Sequence, residues 1–598
     1  MEITSIVPVR VWTRVLQWFE HPKLGLRLAF IAMLLSSSCL FTGFYLDDYI
    51  GRYVYSELPG AKELYDQLAG GYGVATGKPE DNHWQIEEGW APWWMYDRLL
   101  IRLFRPLGEL SHHLDAALWP SSALLQHLHS LVWLALLVWA TTRMYRVALG
   151  AFVGGIAATL FAVDHTHGFV VGYICNRHGL ITAFLGVWAL GAYLRADADP
   201  TWRNKLAAWS LYLFAMFSGE STIAIGCYIF AHVALVPRRP WLQRALAFAP
   251  YALITVGFRA AYSLAGFGAV GSGMYVDPVR QPLAFLGVFL ERAPVLILGQ
   301  FLFPPAEAYV VATPFWATVI FIVAFLMVVV LVCTLVPLLR TDRMARFWAA
   351  GALLSLIPAA STYPHNRQLL FTSFGAMALI AQLFDLHVMQ LRNQAKTWLL
   401  KVSREFGGGL MFTHLVLSPL ALPVSTVSVL LANALQHATD SIGEEVAGRD
   451  VVFVTAPDYF AVKLTQLDRR IEQKPLPRRV RALAFGYETV TVHRTDPSTL
   501  ELDYAGGILS LPFLELYRDR HIPMHVGDRV DLEGLKIEVL DTMPDGRVNK
   551  ARFAFDTPLD APSFKFYYWL DGGFQPFTPP AVGEQQVMPV ASIALGLR

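Results

Sequence analysis

The chain has 598 residues, 55% of them hydrophobic and only 16% charged, with a mean hydropathy of +0.41. Ordinary soluble domains carry about 25% charged residues, so this balance excludes a disordered chain and points to a membrane protein. Lys plus Arg is 48 and Asp plus Glu is 47, so no global basic field marks a nucleic-acid binder, and four cysteines in so long a chain exclude a disulfide scaffold.

Crossing a bilayer core takes about 20 mostly apolar residues, fewer where a helix is buried in protein. Residues 28–46 carry no Asp, Glu, Lys or Arg, and the same holds for 123–142, 147–163, 179–194, 206–219, 221–236 and 245–258. Later come 308–339, 347–366, 368–384 and 406–439, which makes eleven expected spans. Basic residues gather at every second junction. Arg10, Arg14, Lys23 and Arg27 precede the first span, and Arg143 and Arg146, Arg195, Arg203 and Lys205, then Arg238, Arg239 and Arg244 continue the series. Arg340, Arg343 and Arg346, and finally Arg392, Lys396, Lys401 and Arg404, complete it. Cytoplasmic flanks collect Lys and Arg, so the alternation places the amino terminus inside and, with eleven spans, the carboxyl terminus outside. It requires residues 282–303 to form an interfacial or re-entrant pair of helices, because Glu291 and Arg292 are costly at the bilayer centre. The first apolar stretch has no small-residue cleavage site and reads as a retained span.

Residues 47–122 form a long outer loop with twelve acidic and six basic residues. Segments 90–104 and 106–119 are expected as short helices lying on the membrane, with Trp93, Trp94 and Trp119 at headgroup depth. Residues 1–439 thus read as a membrane domain and 440–598 as an extracytoplasmic β-rich α+β domain. That domain opens with a strand at 451–455 and an amphipathic helix at 458–473. Strands at 489–493, 536–540 and 551–555 follow, with a Pro544-Asp545-Gly546 turn between the last two. In the aromatic run 564–569, alternation predicts rings mainly in the core. Cys39, Cys175, Cys227 and Cys333 all lie in or beside apolar segments and read as small buried hydrophobes.

Charged groups at membrane depth are expensive and mark functional candidates. Here they share the outer side: Asp47-Asp48 after the first span, Asp164-His165-Thr166-His167 and Asn176-Arg177-His178 around the next turn, Glu220, Arg259 and Asp277, and His365-Asn366-Arg367. One outward-facing polar cavity accounts for them all. Within it a carboxylate against apolar walls can act as general base toward a hydroxyl, and Arg can bind and steady a departing phosphate. At a membrane surface the natural anionic leaving group is a lipid phosphate. No phosphate-cradling glycine loop or nucleotide fingerprint appears, which favours a lipid-linked sugar donor over a nucleotide sugar.

Motifs in chain order extend this reading. Tyr45-Leu46-Asp47-Asp48-Tyr49, Phe104-Arg105-Pro106-Leu107, Leu110-Ser111-His112-His113-Leu114-Asp115 and Gln126-His127-Leu128-His129 are followed by Phe161 to His167 with Asn176-Arg177-His178. Ser218-Gly219-Glu220 and Asn366-Arg367-Gln368-Leu369 close the series. Over roughly residues 25–385 this layout resembles the GT-C superfamily of integral-membrane glycosyltransferases, most of all protein O-mannosyltransferases and bacterial relatives of the tetratricopeptide-bearing mannosyltransferases. The resemblance implies an inverting transfer from a polyprenyl-phosphate sugar to a hydroxyl on a protein or glycan, with Asp47 or Asp48 as base. It makes Arg177 and Arg367 ligands of the donor phosphate and Glu220 a positioning group, with His165, His167 and His365 on the substrate side. This sequence departs from the family where Gly219 replaces a Lys, where Asp164 precedes His165, and where Gln368 replaces an aromatic residue.

Plainer readings stand beside these. Arg105-Pro106 suits a helix start, and Asp277-Pro278 suits a turn. The pairs His112-His113, His127-x-His129 and His165-x-His167 lack helical metal-ligand spacing, so no resident cofactor is expected, and a divalent cation stays open. Two alternatives to an enzyme remain: a lipid-linked glycan translocase that binds the same lipid, and a catalytically degenerate GT-C-like assembly protein.

Overall fold

The apolar runs become helices, a few of them capped by a polar side chain. The computed structural model describes residues 9–237, 239–390, 397–429, 439–485, 488–510 and 512–590, so Arg238, Arg392 and Lys396 lie outside the described residues. Helices α1 (Val9–Glu20) and α2 (Leu24–Leu35) lead through a short 3-10 turn to α3 (Asp47–Val54) and α4 (Ala61–Gln67). The loop continues with β1 (Gly73–Thr76), α5 (Pro79–Glu87), β2 (Leu100–Arg102) and α6 (Pro106–Leu118). The bundle then runs through α7 (Ala123–Leu149), α8 (Ala151–Ala162), α9 (Gly168–Gly172), α10 (Arg177–Ala198), α11 (Trp202–Met216), α12 (Ile223–Leu235) and α13 (Trp241–Leu264). After β3 (Gly268–Val270) come α14 (Pro282–Phe301), α15 (Ala308–Val311), α16 (Pro314–Thr341), α17 (Arg343–Ala359), α18 (Leu370–Phe384), α19 (Trp398–Phe412) and α20 (Ser418–Thr426). Ser122 caps α7 by accepting the Leu125 amide, and Asp342 caps α17 by accepting those of Met344 and Ala345.

The protein is a polytopic α-helical membrane protein with a β-rich carboxyl-terminal region. Among the described residues, eight helices are long and apolar enough to cross a membrane. The expected spans 147–163, 206–219, 221–236 and 347–366 fall on the shorter helices α8, α11, α12 and α17, of 12 to 17 residues. The expectation for 282–303 needs correction. It is not a pair of helices but the single 20-residue α14, itself long and apolar enough to cross. Arg292 in its middle is buried, donating to the carbonyls of Ala360 and Gly273, and so costs less than an unpaired charge. Lipid-side faces are plain on α16, where Phe325, Leu326 and Val332 are exposed. Small residues bring helices close at the core. Gly351 of α17 lies against the Tyr228 ring of α12, where any side chain would collide.

The β-rich region contains β4 (Asp450–Phe453), α21 (Tyr459–Ile471), β5 (Arg479–Ala482), β6 (Val490–Asp496), β7 (Thr499–Tyr504), β8 (Arg529–Leu532), β9 (Leu535–Thr542), β10 (Val548–Phe555), β11 (Phe564–Leu570), β12 (Gly573–Pro576) and β13 (Gln585–Met588). Six strands make an antiparallel sheet in the order β13-β6-β7-β10-β9-β8, and four make a second sheet, β12-β11-β4-β5, whose β11, β4 and β5 run parallel. The β9–β10 hairpin turns at Gly546, whose φ of +85° favours glycine. Trp93 and Trp94 are not at headgroup depth. They are buried in the β-rich core, edge-on to Phe553 and Phe485, and Trp93 donates to the Leu483 carbonyl. Segment 90–104 therefore holds β2 and irregular chain where a membrane-surface helix was expected, because its indoles find partners in protein. Segment 106–119 does hold a helix, α6, with Leu110, Leu114 and Leu118 exposed along one face.

Candidate functional site

The backbone entering α3 is unusual. Leu46 has φ +40° and ψ −110°, a conformation that costs about 1–3 kcal/mol for a residue with a side chain. Its side chain packs against both the β-rich core and the Tyr45–Tyr173 cluster. This turn starts α3 abruptly and presents two adjacent carboxylates. They differ sharply in what they touch. Asp48 is buried, and its oxygens accept the amides of Cys175 (2.7 Å) and Tyr45 (3.0 Å). Burial pushes its carboxyl up to about 8, against the pull of those two amides, and neighbouring Asp47 adds to the rise. Asp47 is half-buried and accepts a single side-chain hydrogen bond, from the Tyr173 hydroxyl at 2.7 Å.

Both aspartates line a cavity of about 980 Å³. Its polar end also includes Arg105, Glu220, Arg259 and Arg367. Apolar lining is added from membrane helices by Val256 and Ala260 of α13, Ile357 of α17 and Phe371 of α18. The arginines fall into two groups. Arg105 makes a two-pronged pair with Glu220, 2.5 Å at the closer contact, and also reaches His178 at 2.8 Å. Arg259 pairs with Asp277 at 2.5 Å. Arg367 has no carboxylate at ion-pair distance among the described residues. It donates to the Tyr363 hydroxyl at 2.9 Å, and its Nε is buried with no protein partner. Asp47 lies within electrostatic reach of it.

Of the residues singled out by sequence, Asp47, Asp48, Glu220 and Arg367 converge on this cavity. Arg177 does not line it. Its guanidinium is fully buried and pairs with Asp115 while also donating to Ser111, Ser130 and the Gln126 carbonyl. His165 and His167 are buried around Asp164, which also accepts from Gln300 and Ser373. His365 is the near neighbour of Arg367 and accepts its amide, but it faces Phe169 and Glu307 instead of the cavity. Among the described residues, no group of three or more His, Cys, Asp or Glu is placed to hold a metal ion.

Arg105 precedes Pro106 at the start of α6, as a helix-start residue would, and it also lines the cavity. Its presence in a motif of the resembled family was the available signal. Tyr173, which holds Asp47 from 126 residues away, left none.

No protein-family model and no curated protein matches the chain. Among solved structures, it is similar to the oligosaccharyltransferase of Archaeoglobus fulgidus tethered to an acceptor peptide, at 13% identity and a TM-score of 0.40, over 78% of this chain and 64% of that one. The chain thus spans less than two thirds of the length of that archaeal protein. It is also similar to ArnT from Cupriavidus metallidurans bound to undecaprenyl phosphate, at 13% identity and a TM-score of 0.35, over 76% of this chain and 89% of that one.

Proposed function

We propose that this chain is a membrane glycosyltransferase of the GT-C type, moving a hexose from a polyprenyl-phosphate carrier to a hydroxyl acceptor on a protein or glycan. One observation carries the reading. A reachable carboxylate, Asp47, shares a cavity with Arg367, a cation with no carboxylate partner among the described residues, and apolar side chains of membrane helices line the same cavity. That apolar lining suits a prenyl chain, and Arg367 suits the phosphate at its end.

Asp47 is the better placed base, since both oxygens of Asp48 are engaged by backbone amides. The acceptor oxygen attacks the sugar's anomeric carbon and gives its proton to Asp47. The carbon–phosphate oxygen bond breaks, its electron pair leaves with the polyprenyl phosphate, and the anomeric centre inverts. Arg367 steadies the phosphate charge as it develops, with Arg105 beside it and Glu220 holding Arg105 in place. In this reading residues 1–439 form the membrane part and 440–598 an extracytoplasmic part, on the side of the first outer loop, whose Trp93 and Trp94 are buried in the β-rich core. The basic loops put the amino terminus in the cytoplasm, and the membrane is a bacterial inner membrane.

The test uses purified full-length protein in lipid nanodiscs with a polyprenyl-phosphate hexose, and follows released polyprenyl phosphate. Asp47→Asn should lower release by about 10²- to 10⁴-fold, the usual worth of a general base. Full release by both Asp47→Asn and Asp48→Asn would discard the assignment. Lipid binding with no release by the wild type on any hexose donor would point to the translocase or the assembly protein.

A further inference from the structure

The cavity has lining residues that the donor reading leaves unused, among them Arg52 of α3, Ala116 of α6, Pro120 and Gln126. Arg52 is one helical turn beyond Asp48, so their Cβ atoms are about 5–6 Å apart on one face. It makes no ion pair with Asp48, however. Among the described residues Arg52 has no carboxylate or hydrogen-bond partner, and its guanidinium lies 5.2 Å over the Phe44 ring. Tyr55, three residues on, also borders the cavity, but its hydroxyl is sealed in protein, with no hydrogen-bond partner among the described residues. Gly71 faces that hydroxyl closely enough that any side chain there would overlap it.

A guanidinium that lines the cavity and is unsatisfied by protein is a donor open to acceptor oxygens. Every other arginine on the cavity is accounted for, since Arg105 and Arg259 hold carboxylates and Arg367 is assigned to the donor phosphate. We propose that the Arg52 side of the cavity is the acceptor subsite and that Arg52 binds a phosphate or carboxylate group carried by the acceptor about one helical turn from the hydroxyl that reacts. The acceptor is therefore an anionic molecule, a soluble phosphorylated glycan or a lipid with an anionic headgroup. Calling this ligand the acceptor rests on the transferase reading; the anion site itself does not.

Phenylglyoxal labelling of arginines, read residue by residue by mass spectrometry, tests the site without turnover. Full-length protein in phosphatidylcholine nanodiscs is first saturated with polyprenyl phosphate, which should protect Arg367 and leave Arg52 reactive. Glycerol phosphate or inorganic phosphate should then slow labelling of Arg52 at least tenfold if the anion is soluble. Protection only in nanodiscs containing phosphatidylglycerol assigns the site to a lipid headgroup. In Arg52→Gln, binding of radiolabelled glycerol phosphate, or of phosphatidylglycerol, should fall at least tenfold, while polyprenyl phosphate still protects Arg367 and so reports an intact fold. Protection of Arg52 by polyprenyl phosphate itself, no protection by any of these anions, or undiminished anion binding by Arg52→Gln would overturn the proposal. Absence of sugar transfer alongside Arg52 protection would discard the transferase reading and leave the anion site standing.

Discussion

Two polar regions lie close together in this molecule, and in sequence they look alike. One lines the cavity and holds Asp47, Glu220, Arg105 and Arg367; the other is sealed in the bundle and holds Asp115 with Arg177 and Asp164 with His165 and His167. The difference is in who satisfies the charge. Arg177 spends its donors on Asp115, Ser111, Ser130 and the Gln126 carbonyl, whereas Arg367 spends one on Tyr363 and keeps a buried Nε unused. A charge at membrane depth is costly in both places. For Arg177 the protein meets that cost itself, whereas Arg367 is left with a buried Nε that no described residue satisfies.

The largest expected effect breaks the sealed region. Arg177→Met strands Asp115 as a buried carboxylate with only His129 and Trp119 left to it. Losing one partner of a buried pair costs about 3–5 kcal/mol, so thermal unfolding in detergent should drop steeply. If the variant unfolds like the wild type and only loses lipid-phosphate binding, Arg177 belongs with the cavity after all. Next comes Arg367→Gln, which should leave unfolding unchanged while lowering polyprenyl phosphate release about 10²-fold, in line with removal of one donor to a developing oxyanion. Unchanged release would remove Arg367 from the donor site.

A smaller effect concerns pH. The Asp48 carboxyl is raised from an ordinary 3.8 to about 8, so the fold retains a proton that the unfolded chain has released. The contribution of that proton to stability is therefore full below about 4 and declines as pH rises toward 8. Wild-type unfolding temperature should fall across this window, and Asp48→Asn should flatten the decline. An equal slope in both proteins would mean that Asp48 titrates normally.

Much of this was legible because it is local. The apolar runs, the Asp47-Asp48 pair at the end of the first span and the amphipathic face of α6 each follow from a single stretch of chain. What escaped was pairing across long separations. Arg105 and Glu220 are 115 residues apart, and nothing near either one announces their ion pair. Trp93 and Trp94 looked like interfacial anchors because an indole suits a headgroup layer as well as a β-rich core, and only the partner 390 residues on at Leu483 decides between them. Arg177 and Arg367 both stand in Asn-Arg motifs beside histidines, and access to the cavity, a property of the whole bundle, is what separates them.

The smallest expected effect tests the rule that sealed polar groups serve structure. His167 is buried, its ring 4.5 Å from that of Phe161, and neither ring nitrogen has a hydrogen-bond partner among the described residues; Nε2 is 4.0 Å from the Asp164 carboxylate, beyond hydrogen-bond reach. Two buried polar atoms without hydrogen-bond partners are a cost to the fold, so an apolar ring of similar shape removes that cost and loses only the 4.0 Å contact with Asp164. Asp164 keeps Gln300, Ser373 and the Thr166 amide without this histidine. His167→Phe should therefore shift stability by no more than about 1 kcal/mol and leave polyprenyl phosphate release within about threefold of wild type. A tenfold loss of release at unchanged stability would show that this histidine communicates with the cavity, and that being sealed does not by itself make a polar cluster structural.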